Sequence, residues 1–237
     1  LVTIAENIVG PIPGGLAIST VLSCVFFGAI SGSGPATTAA VGMLMIPAMT
    51  RRGYDTAYAA AATATAGGIG IIIPPSIPMV IYGVTGQVSI SKMFMAGFIP
   101  GIIVAISLCV VHYFRCRHIS TAGMTWNARN LLFSLKDGFW SILAPLIILG
   151  GIYAGWFTPT EAAVVAIFYT LLVGLFIHRE LKLRSIMASL KTTSWLSGRV
   201  LVLVFTATSF GYLLTSHRIP NEIAHLVLSL TDTVYIA

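Results

Sequence analysis

Residues Gly28–Gly42, GAISGSGPATTAAVG, set glycine, serine, proline and threonine side by side within a stretch that has no charged residue between Glu6 and Arg51. In a water-exposed chain such a run is a surface loop. Its surroundings exclude that reading here. Only 8% of the 237 residues are charged and 57% are hydrophobic, against roughly 25% charged in a soluble globular domain. Such a chain cannot cover itself with polar side chains, so its solvent is lipid. Charge-free stretches run from Asn7 to Thr50, Thr56 to Ser91, Met93 to Phe114, Gly138 to Thr160 and Ala162 to His178. Several meet or exceed the ~18–20 residues of a spanning helix. The composition therefore predicts an all-α polytopic membrane protein.

The net charge of +6 does not point to nucleic acid, because the basic residues are clustered between apolar spans, the pattern of membrane orientation. The clusters are Arg51-Arg52; Arg115, Arg117, Arg129 and Lys136; and Arg179, Lys182, Arg184 and Lys191. Placing all three in the cytoplasm requires an even number of crossings between them. Thr56–Gly86 and Met93–Phe114 make one pair. Gly138–Phe157 and Ala162–Ile177 make the next, with TPTE (Thr158–Glu161) as the outer turn and Thr160 as the helix cap. Trp195–Ser216 then leaves the cytoplasm again. Ala122–Lys136, with Trp126, Leu131, Leu132 and Phe133 among Arg129 and Lys136, reads as an amphipathic helix on the inner surface.

The opening stretch fits less simply. Leu16–Ile30 and Ala36–Met49 are helical in composition but about 14–15 residues each, roughly 21–23 Å of a ~30 Å core. A re-entrant hairpin that turns inside the membrane at SGSGP accounts for both arms; two tilted short spans are the alternative. A second interruption lies in TATAGGIGIIIPPSIPMVIYG, Thr63–Gly83. There Gly67, Gly68 and Gly70 are followed by Pro74, Pro75 and Pro78, which break a helix through backbone freedom and missing amide donors. Broken backbone at membrane depth is tolerated only against protein or a water-filled cavity. Two such breaks point to a solute or ion site.

Unwound carbonyls can ligate a dehydrated cation such as Na⁺, and half-helix N-termini can receive a carboxylate. Ser31, Ser33, Thr37, Thr38 and Ser76 supply short hydroxyls, while a side chain on Gly32 or Gly34 would fill the space. Close packing of helices through small residues is the competing reading of ATTAAVG. Enzyme readings find no support. The chain has no G-x-S-x-G, no phosphate loop, no G-x-G-x-x-G and no H-E-x-x-H, and a serine nucleophile at Ser31 or Ser33 lacks a nearby histidine base. His112, His118, His178, His217 and His225 fall near span ends or in loops, and most read as interfacial or solvated. No carboxylate chain suggests a proton relay, so Na⁺ is the expected coupling ion. Cys24, Cys109 and Cys116 match no metal or redox spacing and read as buried thiols.

The run Gly10–Gly101 resembles the large membrane subunit of the tripartite ATP-independent periplasmic (TRAP) transporters, most specifically in ISGSGPAT, MIPAMTRRGYD, IIPPSIPMVIYG and AGFIPG. The later GGIYAGWFTPTEAA and GYLLTSHRIP extend the likeness over nearly the whole chain. The resemblance implies a Na⁺-coupled importer of the bacterial inner membrane, fed by a periplasmic substrate-binding protein and working with a small four-helix membrane subunit. It implies inverted repeats, each with a re-entrant hairpin and a broken helix, and an elevator motion. Carried onto this chain, the hairpin tip is Ser31–Pro35 and its partner break Gly67–Ser76. Gly34-Pro35 departs from the serine and small aliphatic residue seen in many relatives, so the tip's backbone is expected to differ.

The expected organisation is an amphipathic lead-in over 1–13, the hairpin over 14–50, and the discontinuous helix with its following span over 54–114. A basic amphipathic connection over 115–137 leads to spans over 138–237 that begin a second repeat. The chain starts at Leu1 and stops at VYIA inside an apolar segment, which reads as a fragment lacking the second hairpin. The expected Na⁺ ligands are Ser31, Gly32, Ser33, Gly68 and Gly70; the expected solute contacts are Ser33, Thr37 and Ser76. The solute class is a carboxylated anion such as sialic acid or a C4-dicarboxylate. An ion channel with a re-entrant filter loop is the rival reading, and a purely scaffolding half a third.

Overall fold

The computed structural model describes residues 1–119, 126–179 and 181–230, and the described residues are helical with no strand. They form two compact units, Leu1–Glu180 and Leu181–Ala237. The first opens with α1 (Val2–Val9), followed by α2 (Gly15–Ser31) and α3 (Gly34–Arg51). These two helices pack along each other as an antiparallel hairpin whose connection is only Gly32 and Ser33. Their bounds match the two short arms expected from composition. Asp55 then caps α4 (Thr56–Gly67) by accepting from the Tyr58 amide at 2.9 Å.

The long expected crossing Thr56–Gly86 is divided. After α4 the backbone tightens into a 3₁₀ turn, Gly68–Ile71, runs irregularly through a cis Pro74-Pro75 bond, and resumes as α5 (Ile77–Thr85). The 27-residue α6 (Ile90–Cys116) is long and apolar enough to cross a membrane. It packs against α2, α5 and the 3₁₀ turn. Next come α7 (Ala128–Tyr153) and α8 (Pro159–Leu172), with a π-turn over Val173–Ile177 extending α8. In the second unit, α9 (Leu183–Ser216) packs with α10 (Ile219–Leu230). Among the described residues four helices, Ile90–Cys116, Ala128–Tyr153, Pro159–Ile177 and Leu183–Ser216, have the length and hydropathy of membrane spans.

Two local expectations are corrected and a third is sharpened. The cap of α8 is Thr158, not Thr160: Pro159 occupies the first turn, and Glu161 reaches back to the Thr158 amide at 2.8 Å while the Thr158 hydroxyl accepts from the Glu161 amide. This is a reciprocal capping box, which the T-P-T-E spacing permits only from Thr158. Residues 128–136 are not a separate surface helix but the first turns of α7, and residues 120–125 lie outside the described segments. His112 is buried, 4% exposed, with its Nδ1 2.6 Å from the Tyr58 hydroxyl; His118, His178, His217 and His225 are exposed. The three thiols are free, with Cys24 and Cys116 buried and Cys109 half-buried.

The core of the first unit lies between α2, α3 and α4, where Val21, Cys24, Met45, Met49, Ala59, Ala66 and Ile69 are sealed from solvent. Small residues set how closely these helices approach, because lipid offers apolar side chains as good a solvent as each other. At Gly28 two backbones meet directly: a Cβ there would lie 2.8 Å from the Gly70 Cα. That contact ties the hairpin to the break in the α4–α5 segment.

Candidate functional site

Two helix ends face the site from the incoming side. α2 stops at Gly32, whose φ of +62° is the left-handed conformation that glycine adopts without steric cost. The Gly32 amide donates to the Gly28 carbonyl at 2.9 Å, closing the last turn. The helical run of α4 ends differently, by tightening to 3₁₀, with the Ile72 and Ile73 amides both donating to the Ile69 carbonyl at 2.9 Å. Each end leaves carbonyl groups without partners in its own helix.

Two helix starts meet them, and the sequence builds both in one way. Ser33-Gly34-Pro35 opens α3 and Ser76-Ile77-Pro78 opens α5, each serine extended (φ −132° and −130°) with proline in the first turn. The Ser33 hydroxyl accepts from the Ala36 amide at 3.5 Å, and Ser76 from the Met79 amide at 3.4 Å. Proline there sacrifices an amide that has no helical partner in any case. Gly34-Pro35 thus forms an ordinary capped helix start.

The two breaks touch. The Ile77 amide donates to the Gly32 carbonyl at 3.1 Å, joining the start of α5 to the end of α2. A Cβ on Gly32 would lie 2.6 Å from the Pro75 carbonyl oxygen, and one on Gly70 2.5 Å from Thr37 Oγ1. Thr38 packs in the same manner on Gly67. Within the tip, Ser31 Oγ and Thr37 Oγ1 are 2.9 Å apart, and Thr37 donates to the Ser33 carbonyl at 2.8 Å. From α6, Gly97 and Gly101 come up beneath Ile72 and Ile73, where a Cβ on Gly97 would meet the Ile72 carbonyl at 2.7 Å. That contact supplies a physical role for the AGFIPG motif.

All seven candidate residues therefore lie on these two adjoining breaks. They differ in access. Thr37 and Ser76 are 0% and 2% exposed, and Ser76 Oγ also donates to the Ile71 carbonyl at 2.7 Å, so both hydroxyls brace the broken backbone in this conformation. Gly32 and Gly70 are buried, whereas Ser31, Ser33 and Gly68 are half-buried. Nothing lies within 4 Å of a Cβ built on Gly68, so that position borders open space. Sequence reasoning missed Gly28, Pro75 and the Ile77 amide. Their roles depend on partners more than forty residues away in sequence, which no local signal encodes. Among the described residues no group of three or more histidine, cysteine or acidic side chains could hold a metal. Any cation held here would rely on carbonyl and hydroxyl oxygens, a ligand set suited to a weakly bound alkali ion rather than a transition metal.

A helical hairpin locked to a discontinuous helix, in a chain that also carries long apolar helices, defines a multi-pass membrane protein with paired half-helix ends, an arrangement that transporters use and that no soluble-enzyme motif accompanies. Over residues 1–237 the sequence matches the family described as "Tripartite ATP-independent periplasmic transporter, DctM component", and the chain belongs to that family. It is 43% identical over 98% of its length to the isethionate TRAP transporter permease protein DctMQ of Oleidesulfovibrio alaskensis, covering 37% of that protein. It is 42% identical over 97% of its length to the C4-dicarboxylate TRAP transporter large permease protein DctM of Pseudomonas aeruginosa, covering 54% of it. Against the sialic acid TRAP transporter large permease protein SiaM of Vibrio cholerae the identity is 37%, over 96% of this chain and 54% of the other. The chain thus spans about half or less of the length of these curated relatives. The chain is of TRAP large-permease type, a multi-pass protein of the bacterial inner membrane, and the relatives it matches are named transporter permeases rather than enzymes.

Proposed function

We propose that this chain is the transport-core half of a Na⁺-coupled secondary importer for a small organic anion. The observation that carries the reading is the meeting of four helix ends at Gly32, Ser33, Ile71 and Ser76, in contact through the Ile77 amide and the Gly32 carbonyl. Two C-terminal ends concentrate partial negative charge and two N-terminal ends partial positive charge. One place can therefore hold a cation and an anion together. Na⁺ is ligated by carbonyls and hydroxyls from Ser31, Gly32, Ser33, Gly68 and Gly70. The anionic group of the solute sits at the starts of α3 and α5, with the half-buried Ser33 as its first hydroxyl contact and Thr37 and Ser76, closed off in this conformation, joining it when the breaks open. Binding of both completes the electrostatics of the breaks, which couples them.

The solute class is wider than carboxylates. Relatives are named for C4-dicarboxylate, sialic acid and isethionate, and isethionate carries a sulfonate. An N-terminal amide cradle accepts either group. A periplasmic substrate-binding protein delivers the solute, and a small four-helix membrane subunit holds the complex in the bilayer. The core then moves past a scaffold as an elevator. Proteoliposomes carrying the complete complex test this: uptake should require an inward Na⁺ gradient and the loaded binding protein together. Non-saturating flux without either would establish a channel instead.

A further inference from the structure

α1 and the first turns of α7 flank an open polar groove at the far end of α2 from the helix-end junction. It has a volume of about 370 Å³ and is lined by Thr3, Asn7, Arg129, Asn130, Phe133 and Ser134. The Asn7 side-chain amide donates to Ser134 Oγ at 2.8 Å and fixes one wall. The Trp126 indole donates to the Ile8 carbonyl at 3.1 Å and fixes the approach. The lining is rich in donors: one guanidinium fork, two carboxamides and two hydroxyls, with no carboxylate among them. Glu6 on α1 is not among the lining residues; burial pushes its carboxyl up, and the Arg52 guanidinium opposes that shift. Asp137 lies two helical turns beyond Arg129 along α7.

The rim has the opposite character. The side chains of Trp126, Leu132 and Phe133 are 70%, 67% and 73% exposed, next to Arg129 and Lys136. Aromatic and apolar groups exposed beside cations mark the headgroup level of a membrane surface. We propose that this open groove binds the phosphodiester of an anionic glycerophospholipid on the cytoplasmic face. The Arg129 fork grips the phosphate, Asn130 and Thr3 add hydrogen bonds, and Phe133 with Leu132 contacts the start of the acyl chains. A guanidinium matches two phosphate oxygens at once. The volume is an order of magnitude above the ~30 Å³ of one water, so a free phosphate ion fills only part of it. The site joins the amphipathic lead-in to the start of α7, and its occupant holds the two together.

The test is native mass spectrometry of the intact transporter complex with added phosphatidylglycerol, phosphatidylcholine or inorganic phosphate. Phosphatidylglycerol adducts should survive, and Arg129→Ala combined with Asn130→Ala should reduce them about tenfold. Arg184→Ala, a basic residue outside the groove, should leave them unchanged. Arg129→Lys keeps the charge without the fork and should fall between; it also serves if the double variant fails to fold. The proposal is overturned by equal retention of phosphatidylcholine, by equal loss in Arg184→Ala, by adducts insensitive to both Arg129 variants, or by inorganic phosphate displacing the lipid.

Discussion

The two breaks in this chain begin their outgoing helices alike and end their incoming ones differently. Ser33 and Ser76 start α3 and α5 with nearly the same backbone angles and the same serine-x-proline order. The first incoming helix, however, stops at a single left-handed glycine, so the chain reverses at once and α3 packs back on α2. The second tightens into 3₁₀ without leaving the right-handed region. It then crosses Ile72–Ser76 before α5, which packs on α6 rather than on α4. A left-handed stop makes a hairpin and a right-handed stop makes a displaced continuation. The tight side of each break faces the other, and the loose side falls at Gly68.

That contrast ranks the substitutions that would break it. Gly32→Ala should do most harm, because it combines the left-handed φ, about 1–2 kcal/mol for an L-residue, with a carbonyl oxygen 2.6 Å from the new Cβ. We expect Na⁺-dependent uptake to be lost with normal membrane insertion, a result that also removes a scaffold-only role for this half. Gly70→Ala comes next. Its Cβ meets Thr37 Oγ1 at 2.5 Å and the Ser33 carbonyl at 3.2 Å, and uptake should fall about tenfold, equivalent to ~1.4 kcal/mol.

Removing the caps sharpens the comparison between the helix starts. Ser76→Ala should lower thermal stability more than Ser33→Ala. Each loses an N-cap of about 1 kcal/mol, but Ser76 is buried and also loses its bond to the Ile71 carbonyl. Melting of the purified complex in detergent measures the difference, and equal shifts would mean that the second break is held by its prolines alone. Gly68→Ala should do least to stability, since nothing lies within 4 Å of its Cβ and alanine is the better helix former. Stability as poor as that of Gly70→Ala would erase the distinction between the tight and loose sides. Unchanged stability with raised Na⁺ demand would instead locate the ion beside Gly68.

Both breaks were legible in the sequence because glycine and proline act locally and need no partner to disrupt a helix. The arms α2 and α3 were legible because the SGSGP interruption and the Arg51-Arg52 pair bound their apolar runs. The pairing of the breaks came from the family resemblance, not from any contact that composition could reveal. Gly28 against Gly70, and Gly97 beneath Ile72, depend on helix packing and carry no mark of their own. His112 is the exception among histidines that are mostly wet, and no local signal marks it: Tyr58, fifty-four positions earlier, occupies one ring nitrogen from another helix. Thr160 lies next to the acid, but the reciprocal bond needs a hydroxyl three residues before Glu161, which is Thr158.

The central claim is that the ends of α2 and the 3₁₀ turn, with the starts of α3 and α5, bind Na⁺ and an organic anion together. A density map of the complete complex, prepared with Na⁺ and a bound solute, tests it directly. The account predicts an ion among the backbone oxygens of Ser31–Ser33 and Gly68–Gly70, with the solute's anionic group beside Ser33 and Ser76. An ion or solute held wholly by other parts of the complex, with both breaks unliganded, would contradict it.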